Sequence, residues 1–139
     1  MVPSFEQIIL DVCRNHFTGI EAIYLFGSHA KGEEGPNSDM DIALVFEHQR
    51  AKELGDLMLS DAALELARSL GCHVDMINLR LASTVFQYQV ITTGKLLYSS
   101  EVINPYVFEG LIVSLYQKLK EERTLIEKSI QTSGEVYAQ

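Results

Sequence analysis

Residues 24–46, YLFGSHAKGEEGPNSDMDIALVF, constrain the fold more than any other stretch of the chain. An apolar run closes on Gly27-Ser28, a polar loop rich in Gly, Pro and Asn follows, and a second apolar run opens on Asp39-Met40-Asp41. The pattern predicts two strands joined by a loop, with a small-residue pair ending the first and a carboxylate pair opening the second. Side chains alternate between faces along a strand rising about 3.3 Å per residue, so Asp39 and Asp41 share a face roughly 6.6 Å apart. Carboxylates that close raise each other's proton affinity and resist burial without a cation. The stretch is therefore suited to holding a metal ion beside a bound anion.

The flanking sequence alternates helical and strand patterns. Phe5, Ile8, Ile9, Val12 and Cys13 repeat at helical spacing behind Pro3 and Ser4, predicting a helix over 4–16. Ile20 to Phe26 reads as a buried strand, SHAK as a short helical turn, GEEGPNS as an exposed loop, and Asp39 to Phe46 as a second strand. Leu59, Ala62, Ala63, Leu66, Ala67 and Leu70 predict one long helix over 51–70 that ends at Gly71. A third strand over 72–79, a helix over 81–92 and a short strand over 94–98 follow. Asn104 and Pro105 open a last helix, expected to run to about 130, whose apolar stripe over 105–120 is most simply core, whose charged extension is a candidate partner contact, and which frays at the polar tail TSGEVYAQ. The fold class is α/β in the mixed α+β sense: a small mixed sheet flanked by helices, with a C-terminal helix.

A chain of 139 residues with 47% hydrophobic residues is expected to form a single domain, residues 1–139, with its core unit at about 5–98. A formal charge of −8 argues against a nucleic-acid polymer as a direct partner, because phosphate backbones select basic surfaces. Nucleoside triphosphates remain compatible, since a divalent cation carried with the phosphates offsets the repulsion. Cys13 and Cys72 lack ligand spacing and read as reduced core thiols, so zinc is not expected. With no basic leader and no long apolar run, cytoplasm is the expected location and no membrane is expected.

Asp75 stands in the third strand, where a carboxylate is costly unless paired or bound to a cation. Together Asp39, Asp41 and Asp75 suit two Mg²⁺ ions, which take oxygen ligands and can clamp both oxygens of an in-line phosphoryl displacement. Gly27 lets a phosphate approach the backbone, and Ser28 adds a hydroxyl at the start of a helical turn. The stretch GSHAKGEE has no GK[ST] ending, no GxGxxG is present, and Ser28-His29 lacks a nucleophile elbow. His16, His48 and His73 are read as residues without a chemical role.

The glycine-serine pair, ten intervening residues, the Asp-x-Asp and the later Asp75 resemble the signature of the DNA polymerase β-type nucleotidyltransferase superfamily. The form GSHAKG…SDMDIALV resembles its minimal nucleotidyltransferases (MNT), the antitoxins that partner HEPN-domain toxins. The resemblance implies transfer of AMP from ATP to a tyrosine of a HEPN ribonuclease, with pyrophosphate released and the toxin silenced within a hetero-oligomeric complex. It implies that Asp39 and Asp41 ligate both metals, that Asp75 helps activate the acceptor hydroxyl, and that Gly27 and Ser28 hold the triphosphate. Lys31 stands where many relatives have Arg, and its point charge lacks the bidentate fork. Nucleotidyl transfer to a small hydroxylated molecule such as an aminoglycoside, or neutralisation by binding alone, are the alternatives. The short remainder after Tyr98 leaves little material for a separate acceptor-binding domain, and an acidic chain complements a basic partner.

Overall fold

The computed structural model describes residues 4–32 and 39–137, and only the backbone of His29, Lys31 and 132–137. Pro3, residues 33–38 of the expected exposed loop and the last two residues of the tail lie outside the described residues. In chain order the elements are α1 (Phe5–His16), β1 (Ala22–Phe26), α2 (Ser28–Lys31), β2 (Met40–Val45), α3 (His48–Leu54), α4 (Asp61–Leu70) and β3 (Val74–Asn78). A 3-10 turn (Leu79–Leu81), α5 (Thr84–Thr93), β4 (Lys95–Ser99) and α6 (Pro105–Tyr137) complete the chain.

Alternation along the strands decides what covers each face of the sheet. Ile23 and Leu25 of β1, Met40, Ile42 and Leu44 of β2, and Val74 and Met76 of β3 share one core cluster. Ile9, Val12 and Cys13 of α1 and Ala62, Ala63 and Leu66 of α4 cover them. The intervening residues Ala22, Tyr24, Ala43 and Val45 face the other way and are covered by Val90 of α5 and Phe108 and Ile112 of α6. Both faces are buried, which is why β1 and β2 read as continuous apolar runs rather than alternating ones. Tyr24 keeps its hydroxyl satisfied in that interior by donating to Glu109 Oε1 of α6 at 2.6 Å. Burial, then the hydrogen bond and charge of Glu109, push its phenol well above the usual range.

The strands run in the order β3-β2-β1-β4. β1 is antiparallel to both β2 and β4, whereas β2 and β3 are parallel, so the sheet is mixed as expected. A parallel pair needs a crossover, which α3 and α4 supply. Here the structure corrects the sequence reading: the single helix expected over 51–70 is two helices. α3 starts earlier, where the Glu47 carboxylate accepts from the N–H groups of Gln49 and Arg50 at 3.0 and 3.1 Å, contacts that hold its pKa below the usual value. α3 ends at Gly55, whose φ of 65° breaks the helix, and Leu57 then turns into the core. Ser60 restarts the helix as N-cap of α4, accepting from Ala63 N at 3.2 Å. Helical periodicity alone does not separate one long helix from two pieces whose apolar faces both meet the sheet.

Asn104 caps α6 as expected, its Oδ1 accepting from Tyr106 N at 2.9 Å. The helix continues to Tyr137, past the end near 130 that the polar tail suggested. No proline interrupts residues 106–137, and once a helix is nucleated each added residue contributes a backbone hydrogen bond.

Candidate active site

The mixed pairing brings three chain segments to one edge of the sheet. Phe26, the last residue of β1, is the register partner of Asp41 in β2, and Asp41 is the register partner of Asp75 in β3. A single row across the sheet therefore carries two carboxylates side by side, on strands about 4.8 Å apart. Asp39 lies just before β2 and is exposed. The N–H of Met40, between the two aspartates, donates to the His73 carbonyl at 2.9 Å and ties the start of β2 to the start of β3. Burial and then the Asp39 carboxylate push the Cys72 thiol up, so Asp39 acts electrostatically at the beginning of β3.

Gly27 follows Phe26 directly, with φ of 74°, a conformation that glycine adopts without penalty. A Cβ at this position would stand 2.1 Å from Asp41 Oδ2. The bare backbone of Gly27 is thus the cradle into which the Asp41 carboxylate is set. Ser28 opens the one-turn helix α2 and is half-buried beside this cradle. The side chain of Lys31, expected to reach phosphate, lies outside what is described.

Asp75 is half-buried, and His73 Nε2 donates to its Oδ1 at 2.8 Å. His73, read from the sequence as inert, therefore touches a candidate ligand. The signal was available, because His-x-Asp at a strand start puts both side chains on one face. A cleft of about 200 Å³ opens beside Asp41 and Gly27 and is walled by Phe26 and by Phe86, Gln89, Val90 and Thr93 of α5. The α5 residues were not singled out from sequence, and no local pattern marks them, since a long-range crossing places α5 there.

Among the described residues no group of three or more His, Cys, Asp and Glu side chains converges into a metal cage. The donor set nevertheless fits Mg²⁺, which binds through one or two carboxylates together with waters and substrate phosphates rather than an all-protein cage. Glycine at 27 keeps the Asp41 carboxylate in this row, since a Cβ there would stand 2.1 Å from its Oδ2.

A family model described as "Polymerase beta, Nucleotidyltransferase" matches residues 7–102. The protein adenylyltransferase MntA of Shewanella oneidensis is 36% identical over 121 residues, covering 87% of this chain and 84% of that protein. A solved toxin–antitoxin structure with AMP-PNP superposes with a TM-score of 0.71 at 33% identity, covering 91% of this chain and 98% of that one. A tri-AMPylated Shewanella oneidensis HEPN toxin in complex with its MNT antitoxin matches with a TM-score of 0.65 at 30% identity, covering 91% of this chain and 96% of that one. With its carboxylate row, its glycine cradle and these matches, the chain belongs to the polymerase beta nucleotidyltransferase family, beside the MNT antitoxins.

Proposed function

We propose that this chain transfers AMP from ATP to a tyrosine hydroxyl of a HEPN toxin and thereby neutralises it. The observation that carries the reading is the row Phe26, Asp41, Asp75, with Gly27 cradling Asp41. A glycine backbone beside paired carboxylates supports an in-line transfer at a phosphorus, with the carboxylates as metal ligands. The acceptor oxygen bonds to the α-phosphorus, the bond from that phosphorus to the bridging oxygen of pyrophosphate breaks, and the hydroxyl proton passes to a base or to water.

Asp39, Asp41 and Asp75 would hold Mg²⁺, which when bound supplies Lewis-acid stabilisation of the phosphate charge. Gly27 and Ser28 receive the triphosphate, and Lys31 is assigned to it as a point charge. The relatives support the acceptor: one is a protein adenylyltransferase and another is complexed with an AMPylated HEPN toxin. The catalytic unit at about 5–98 and the helix after it act together as one domain, 1–139, held by Phe108 and Ile112 in the core. We place this unit in the cytoplasm: both cysteines are free, and burial pushes the Cys13 thiol up to about 12, which leaves it unreactive. Among the described residues no helix is long and apolar enough to cross a membrane.

Incubation with Mg²⁺, labelled ATP and a HEPN toxin tests the reading. Label on the HEPN protein, lost in Asp41→Asn or Asp39→Asn, is the expected result. These variants should melt at the wild-type temperature or slightly above it without metal, because they relieve carboxylate repulsion. A tight complex with no transfer would instead favour neutralisation by binding.

The seat for that partner is α6. Phe108 and Ile112 bury one stripe of the helix in the core, and the same stripe continues along the helix as the exposed Leu115, Leu119, Ile126 and Ile130. An apolar stripe of this length is the usual seat for another apolar helical surface. Leu119→Glu with Ile126→Glu is expected to weaken binding of the HEPN protein at least about tenfold, as measured by calorimetry, without lowering the melting temperature. Unchanged affinity would move the seat elsewhere.

A further inference from the structure

Within the site proposed above, one residue touches both carboxylate-bearing segments. The His73 carbonyl accepts from Met40 N at 2.9 Å, between Asp39 and Asp41, while the His73 ring donates to Asp75 Oδ1 at 2.8 Å. A carboxylate only accepts, so the ring carries this proton on Nε2. The ring is 63% exposed and joins neither core cluster, so the contact is not a by-product of packing. It is also too exposed to contribute much stability. β3 is an edge strand, with β2 on one side and no strand on the other among the described residues. Without a second strand to confine it, the Asp75 side chain depends on its neighbours for orientation.

We propose that His73 is the positioning residue of this site: it holds Asp75 by one oxygen and leaves the other to face a cation shared with Asp41. The inference rests on the carboxylate row being the metal-binding site of the function proposed above. Residues that orient ligands in this way commonly change metal affinity by about 10- to 100-fold when removed.

Mn²⁺ binding in the presence of AMP-PNP, followed by electron paramagnetic resonance, tests the proposal without turnover. Wild type, His73→Ala, His73→Gln and Asp41→Asn are compared in the full-length chain. Gln carries an amide N–H at nearly the reach of Nε2, so it can replace the hydrogen bond without the ring. The expected result is that His73→Ala weakens Mn²⁺ binding about 10- to 100-fold, while His73→Gln recovers most of the loss and both variants melt with wild type. Unchanged or tighter binding in His73→Ala would overturn the proposal, the latter by showing that the ring competes with the cation. So would a His73→Gln variant as weak as His73→Ala. Failure of the underlying reading looks different: wild type and Asp41→Asn would then bind Mn²⁺ equally.

Discussion

Replacing Gly27 with alanine is expected to reduce AMP transfer at least about a hundredfold while leaving the chain folded. Two costs add at this position. The φ of 74° places alanine in the left-handed region, which costs about 1 to 2 kcal/mol. The new Cβ would also stand 2.1 Å from Asp41 Oδ2, so the carboxylate must leave its place in the row with Asp75. Displacing a group at a reacting centre by about 1 Å is enough for a hundredfold loss in rate. Initial rates of label transfer and a thermal melt check the two costs separately. In an Asp41→Ala background the clash disappears and only the φ cost remains, so Gly27→Ala should destabilise that background less than it destabilises wild type. Equal destabilisation in both backgrounds would show that the cradle does not act through Asp41.

The parts of this site that were legible in the sequence are those fixed by local chemistry. Gly27 ends an apolar run, and Asp39 and Asp41 open the next, so a glycine turn beside paired carboxylates follows from spacing alone. Asp75 was conspicuous as a charge inside a strand pattern. What spacing does not convey is register. That Phe26, Asp41 and Asp75 stand in one row depends on β1 pairing antiparallel and β3 parallel to β2, and those are long-range choices. The α5 wall of Phe86, Gln89 and Thr93 is invisible for the same reason. Gly55 and Ser60 are ordinary stop and start residues for the break between α3 and α4. An apolar periodicity drawn over 51–70 hides that break, because the turn between them also buries an apolar residue, Leu57. A lone histidine carries no signal by itself, and His73 gains one only together with Asp75 two residues on.

The far end of the same strands should carry stability without carrying rate. Glu21, just before β1, is 7% exposed, and its Oε2 accepts from the Arg80 guanidinium at 3.1 Å. Arg80, in the 3-10 turn after β3, also donates to the Phe46 carbonyl and lies over the Phe108 ring, 5.0 Å from its centroid. One guanidinium therefore joins the start of β1, the exit of β2 and the base of α6. Removing the carboxylate alone strands a largely buried positive charge, so Glu21→Ala is expected to lower stability by about 3 kcal/mol, near the low end for a broken buried pair because Arg80 keeps some exposure. Replacing both partners, as in Glu21→Leu with Arg80→Met, should recover most of that loss, since the desolvation of both charges disappears with them. Glu21 stands five residues before Phe26, roughly 16 Å along the strand from the carboxylate row. Urea denaturation should therefore show a lower midpoint for Glu21→Ala, and transfer per folded molecule should match wild type. A rate that falls while the midpoint stays would mean that this ion pair is coupled to the site through the sheet.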